Sequence, residues 1–193
     1  MALWGITDAD EAKPKWLTTA QKKEVFANNS GWVVEAGSTQ TGNDNTDAQP
    51  EVLCCVGDLA TGIGAADITE IEFITTAFDK SDGGNIDVRV RFNEQVTVNT
   101  SGGTQTLTIT NDTPSRNLTA TYLSGTGKNE IIFRKTIAAA NAATNAGDVL
   151  SIAANAMALA SGTIKDTADG TTNATITSVA SIGAAAGTIT VAA

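Results

Sequence analysis

The chain has no histidine, one tyrosine, three prolines and only two cysteines among its 193 residues. Without histidine, the usual general acid–base group is missing, and with it the Ser–His and Cys–His pairs of covalent catalysis. There is neither a Walker loop nor a nucleophile elbow, and Gly62-Ile63-Gly64 is a Gly-x-Gly with no helix start behind it. The 21 acidic residues are spread along strands and turns as solvated faces are, so the sequence reads as non-enzymatic, with no cofactor. The cysteines are neighbours, Cys54 and Cys55, which rules out a disulfide framework. Adjacent residues of an extended strand face opposite ways, so two separate thiols are expected, at least one buried beside Leu53 and Val56. Long apolar runs are also lacking: none approaches the ~18 residues that cross a bilayer. The opening MALWGITDADEAKPK lacks a basic stretch followed by an apolar one, so neither export nor a membrane partner is expected. Without export, the Asn-x-Thr triplets at Asn111 and Asn117 carry little meaning.

Positive charge is scarce as well. A formal net charge of −9 argues against nucleic acid, which demands clustered cations on the contacting surface. The exception is the beginning of the chain, where Lys13, Lys15, Lys22 and Lys23 sit among all three tryptophans, Trp4, Trp16 and Trp32. The apolar fraction, 41%, comes mainly from Ala, Val and Ile, which suits the thin core of a β-sandwich.

The pattern divides near residue 65. Residues 1–66 read as an anchoring arm with a small β-hairpin domain. An extended entry carries Pro14, and a short helix begins at Thr18 or Thr19 with a Thr N-cap, closes over Glu24, Val25 and Phe26, and stops at Asn28-Asn29-Ser30-Gly31. GWVVEAG and EVLCCVGDL then form a hairpin around a long polar loop, Ser38 to Pro50. Residues 60–67, ATGIGAAD, read as a flexible linker. Residues 67–193 show period-2 alternation. Ile86, Val88, Val90 and Phe92 alternate with Asp87, Arg89 and Arg91, a half-buried antiparallel strand. In the first strand, the face carrying Ile71 and Phe73 is expected to be the buried one. Runs at 96–98, 105–110, 118–123, 130–137, 148–154, around Ile164, 174–179 and 187–191 follow between Gly, Asn, Asp and Ser turns, the density of a Greek-key sandwich. Only residues 138–146, AAANAATNA, offer a helical turn or two. The fold class is therefore mainly β, an antiparallel sandwich behind a small N-terminal domain.

Taken in order, GGNIDVRVRFNEQVTV, QTLTIT, ATYLSGTGKNEIIFRKTI and AGDVLSIAANAMALASGTIKDTADG resemble the Ig-like repeats of large bacterial surface proteins over residues 68–179. The shared succession is a strand ending in Phe before Val-x-Val, a Tyr-x-Ser-Gly-x-Gly hairpin, a Gly-Asp strand start and a Gly-x-Ile-x-Asp turn. A single copy departs from those long tandem arrays. MALWG, KPKWLTT, KKEVFA, GWVV and EVLCCVGDL resemble the N-terminal segment of small structural proteins of marine tailed phages, including cyanophages. The joint resemblance implies a virion protein on the capsid exterior, a decoration or cement protein whose partner is the major capsid protein or another shell or tail protein. A homo-oligomer is compatible with it. The alternative is a tail, neck or baseplate protein with a host-surface adhesion module.

Large aromatics and lysines in a segment too short to own a large core suit a docking arm, because aromatic anchors dominate interface energy. The candidate capsid-binding residues are Leu3, Trp4, Lys13, Pro14, Lys15, Trp16, Leu17, Lys22, Lys23 and Trp32. The competing reading packs the tryptophans together as a small core rimmed by solvated lysines. Asp79, Asp82, Asn85 and Asp87 crowd a loop with Gly83 and Gly84 and offer hard oxygens to Ca²⁺, but their spacing fails the EF-hand template and the same residues make hairpin turns. No metal is assigned.

Overall fold

The computed structural model describes residues 13–193. After a turn closed by Leu17 N–H on the Pro14 carbonyl, helix α1 covers Thr19–Lys23. Thr18 caps it: its Oγ1 accepts from Gln21 N–H at 3.2 Å while the Gln21 side chain accepts from Thr18 N–H at 2.9 Å, a reciprocal capping box. The helix does not run on through Val25 and Phe26. Those residues begin strand β1 (Val25–Asn28), which turns directly into β2 (Gly31–Val34). Asn28 to Gly31 is thus a hairpin turn and not a helix stop. Gly31 has a φ of +132°, and a Cβ there would lie 2.0 Å from the Cys54 carbonyl oxygen, so only glycine fits.

Strand β2 pairs antiparallel with β3 (Glu51–Cys55), the expected hairpin across the long polar loop. Cys54 is half-buried and Cys55 exposed, both as free thiols, so neither is sealed in as the sequence suggested. Residues 60–67 are no flexible linker. Helix α2 (Leu59–Gly62) starts the segment, and Ala60, Ile63 and Ala66 are buried.

The remaining strands are β4 (Ile68–Phe73), β5 (Phe78–Asp79), β6 (Gly84–Asn99), β7 (Thr106–Asn111), β8 (Leu118–Ser124), β9 (Lys128–Ile137), β10 (Val149–Ser151), β11 (Met157–Ala158), β12 (Thr163–Asp166) and β13 (Ile189–Ala192), with helix α3 (Ala180–Ala185) before the last. The ladder runs β3-β2-β1-β6-β9-β8-β7-β10-β13-β5, with β4 and β12 also on β6 and β11 on β7. The molecule is mainly β, a sandwich in which the ladder folds back on itself. Inward side chains of β6, β8 and β9 meet those of β7, β10 and β13 in one buried cluster.

Strand β6 absorbs two predicted strands. Its first half pairs with β4 and β9; after an irregularity between Arg91 and Val96, its second half pairs with β12. Ile86, Val88 and Val90 are fully buried and Phe92 nearly so, each contributing about 1.5–3 kcal/mol by leaving water. On β4, Ile71 is buried and Phe73 partly so; a bulge between Ile68 and Glu70 also turns Ile68 inward. Two expected elements are not formed. Residues 138–146 make turns around Ala140 at φ 54°, and 174–179 contribute only a bridge from Thr175 to Asp67 before α3. In the first segment the Asn141 side chain accepts locally from Ala143 N–H, an option that competes with helix; in the second, Ser178 Oγ accepts from the N–H of Asn155, 23 residues earlier in the chain.

A second buried cluster belongs to the N-terminal part: Leu17, Val25, Ala27, Trp32, Val34, Leu59 and Ile63. It joins the sandwich through a parallel bridge, Ala27 to Glu94. Among the described residues, no helix is long and apolar enough to cross a membrane.

Candidate docking surface

The candidate residues separate according to which way the Pro14–Lys23 turn and helix point them. Pro14 and Leu17 face inward, Leu17 at 9% exposure as part of the small cluster. Between them, Lys15 and Trp16 are thrown outward, and Trp16 stays 58% exposed. Trp32 is fully buried in the middle of β2. Its ring therefore supports the hairpin from within, and Pro14, Leu17 and Trp32 leave the set of side chains that a partner could touch. Leu3 and Trp4 lie outside the described residues.

The lysines converge more than the tryptophans. Lys13 Nζ donates to the Lys22 carbonyl at 2.8 Å, bringing the segment before the turn back along α1. Lys13, Lys22 and Lys23 line one groove of about 300 Å³ with Thr19, closed on its other side by Ser181 and Ile182 of α3. Lys23 pairs with Glu70 of β4, which ties α1 to the sandwich. The surface thus combines an exposed indole, an exposed Lys15 and a lysine-lined groove on one short stretch of chain.

Behind it lies an ionic cluster that sequence reasoning missed. Arg91, 5% exposed, reaches Glu35 at 3.1 Å, Glu70 at 2.9 Å, Glu72 at 3.0 Å and Glu130 at 3.7 Å. Arg89 adds bridges to Glu72 and Glu130 at 3.2 and 3.3 Å, and Asn129 donates to Glu35 at 3.2 Å. Burial alone would pull the Arg91 guanidinium down, but the charge and hydrogen bond of Glu35, with the charges of Glu72 and Glu130, hold it above its ordinary value. Glu130 is pushed up, because burial and the Glu35 charge outweigh Arg89 and Arg91. A signal existed in the sequence: Glu70 and Glu72 share one face of a strand, and Arg89 and Arg91 share one face of another. They read as solvated faces because Glu35, the cover, comes from the other part of the chain.

The calcium candidates are not brought together. Asp87 makes a two-pronged bridge to Arg134 at 2.7 and 2.6 Å, and Asn85 Oδ1 accepts from Thr136 Oγ1 at 2.7 Å. Asp79 accepts from the Ser81 hydroxyl and N–H, both at 2.7 Å, which lowers its carboxyl below the usual range. Asp82 sits exposed in the intervening turn. Among the described residues, no group of three acidic or cysteine side chains is placed to hold a metal ion. Chemically, the site offers charge and an aromatic face, with its buried carboxylates already committed to arginine. No family model, curated protein or solved structure matches the chain.

Proposed function

We propose that the chain is a non-enzymatic structural protein of a tailed-phage virion, a decoration or cement protein on the capsid exterior. Its N-terminal part docks on the major capsid protein and its Ig-like sandwich projects outward. The observation that supports this most is Trp16, a large aromatic left 58% exposed beside lysines in a protein of net charge −9. Exposed indoles are costly to leave in water and are characteristic interface anchors, and the lysines complement an acidic shell. Repetition over a lattice supplies avidity, so each contact needs little energy by itself.

The reading is tested by co-sedimenting purified protein with phage capsids that lack it. W16A combined with K15A is expected to weaken binding at least tenfold while leaving thermal unfolding within about 0.5 kcal/mol of wild type, as an exposed change should. W32A is expected to cost about 3–5 kcal/mol of stability through the cavity it leaves. Capsid binding that survives the Trp16 and Lys15 substitutions refutes this surface. A copy number in whole particles far below that of the shell protein places the chain in a tail or neck.

A further inference from the structure

The groove that holds Lys13, Lys22 and Lys23 crosses the seam between the hairpin part and the sandwich. One side is α1 with Lys13 before it; the other combines Thr69 and Glu70 of β4 with Ser181, Ile182 and Ala185 of α3. The site is thus built from both ends of the described chain, and each side is fixed by its own packing. Lys23 ties α1 to Glu70, and Lys13 holds the preceding segment on the Lys22 carbonyl. Helix α3 lies directly on the sandwich: a Cβ on the buried Gly183 would come within 2.4 Å of the Ile152 carbonyl oxygen, and Ile182 packs partly buried against the main core. A groove whose sides are already placed loses little freedom when it is filled.

Its charge is opposite to that of the molecule. Three lysines against one carboxylate, Glu70, leave an excess of two positive charges lining the groove of a chain whose formal net charge is −9. Glu70 is shared with Arg91, so it cannot offset all three. Lys22 is half-buried and makes no ion pair among the described residues. Thr19 and Ser181 add exposed hydroxyls that can donate to an anion, while Ile182 and Ala185 offer an apolar flank. A nucleic acid fits this setting poorly. Its charge continues beyond the groove, where the acidic remainder of the molecule repels it, and the lining holds no arginine, the usual fork for phosphate. A short acidic stretch of polypeptide ends its charge where the groove ends.

We propose that this groove seats a short acidic segment of the partner protein, with a carboxylate on Lys22 and the segment lying against Ser181 and Ile182 of α3. The inference rests on the docking reading for the existence of a partner; it adds that partner's chemistry, clustered Asp or Glu, and makes α3 half of the site. Neutral segments gain nothing from the lysines, and long polyanions meet repulsion outside them, so the groove selects by charge and by length. Association is sensitive to salt, because the lysines are open to water.

A hexa-aspartate peptide titrated into the full chain at about 20 mM salt reads the groove without any capsid. The amide NMR signals of Thr69 and Ser181 are expected to shift, and hexa-asparagine should leave them in place. K22E should weaken binding about tenfold or more. S181E should weaken it about fivefold, the effect of one like charge about 4 Å away in water, and an acid in the first turn of α3 suits a helix, so this variant keeps its fold. T121E adds the same charge on β8, with β6 and β9 between it and β4, and should bind as wild type does. Hexa-aspartate that moves neither amide, or that binds S181E as tightly as wild type, overturns the proposal, and so does an oligothymidylate that binds more tightly than the peptide. A chain that binds the peptide but no capsid upholds the groove and overturns the virion reading.

Discussion

Replacing Arg91 by Met should be among the most damaging single changes in the seam. The side chain is 5% exposed and lies within 4 Å of Glu35, Glu70, Glu72 and Glu130. Glu70 keeps Lys23, while Glu72 and Glu130 keep Arg89, but Glu35 loses its cation at 16% side-chain exposure. Removing one member of a buried ion pair costs about 3–5 kcal/mol, because the remaining charge is stranded. That is a large share of a typical stability of about 5–15 kcal/mol. The loss should also depend on pH. With Arg91 gone, Glu130, already pushed up by burial and the Glu35 charge, loses one of the cations that hold it down, so the folded variant binds extra protons and recovers stability as pH falls. Urea titrations at pH 4.5 and 7.5 should therefore show a smaller deficit at the lower pH, and adding E35Q should return part of the loss at pH 7.5. A deficit under about 1 kcal/mol at neutral pH, or one equal at both pH values, would refute the idea that Arg91 holds these carboxylates.

Two further changes test local features. Ala160 and Ser161 both have positive φ, 49° and 71°, in a turn closed by Gly162 N–H on the Leu159 carbonyl at 2.8 Å. Asn-Gly suits such a turn, so A160N/S161G should raise stability by about 1 kcal/mol, read as a higher melting temperature. Asp148 accepts from Asn111 Nδ2 and Asn145 N–H, each at 2.8 Å, and from Arg116 at 3.2 Å. Burial opposes these bonds, but together they hold its carboxyl below the ordinary value. Its contribution is therefore present above the unfolded value of about 3.9 and lost as pH falls through the folded one. D148N should cost about 1.5–3 kcal/mol at pH 7, and its unfolding curve should approach wild type near pH 2.

Much of the sandwich was legible because one face of each strand meets water. β7, β8 and β9 were expected at 105–110, 118–123 and 130–137 and form at 106–111, 118–124 and 128–137. The alternation of Ile86, Val88, Val90 and Phe92 marked the central strand for the same reason. β1 was misread because Val25, Phe26 and Ala27 are all buried, so no alternation shows and the apolar run passes for the end of a helix. The small residues of 60–67 suggested slack, when their size lets Ala60, Ile63 and Ala66 pack at the seam. At the candidate docking surface, the sequence shows which residue types are present but not their directions. Trp16 and Leu17 are adjacent, yet one is exposed and the other buried because the turn from Pro14 sends them opposite ways.

The last strand, β13, lies between β10 and β5, with Val191 opposite Phe78 and Thr190 opposite Val149. A chain emerging from the ribosome cannot finish this sheet until residues 189–192 are free, so β5 and β10 wait with open edges while the middle of the sandwich is already available for pairing. Such distant closure is slow, and the waiting edges invite strands from other nascent copies. Chains stopped before Ile189 should accordingly accumulate as aggregates rather than as shorter folded proteins.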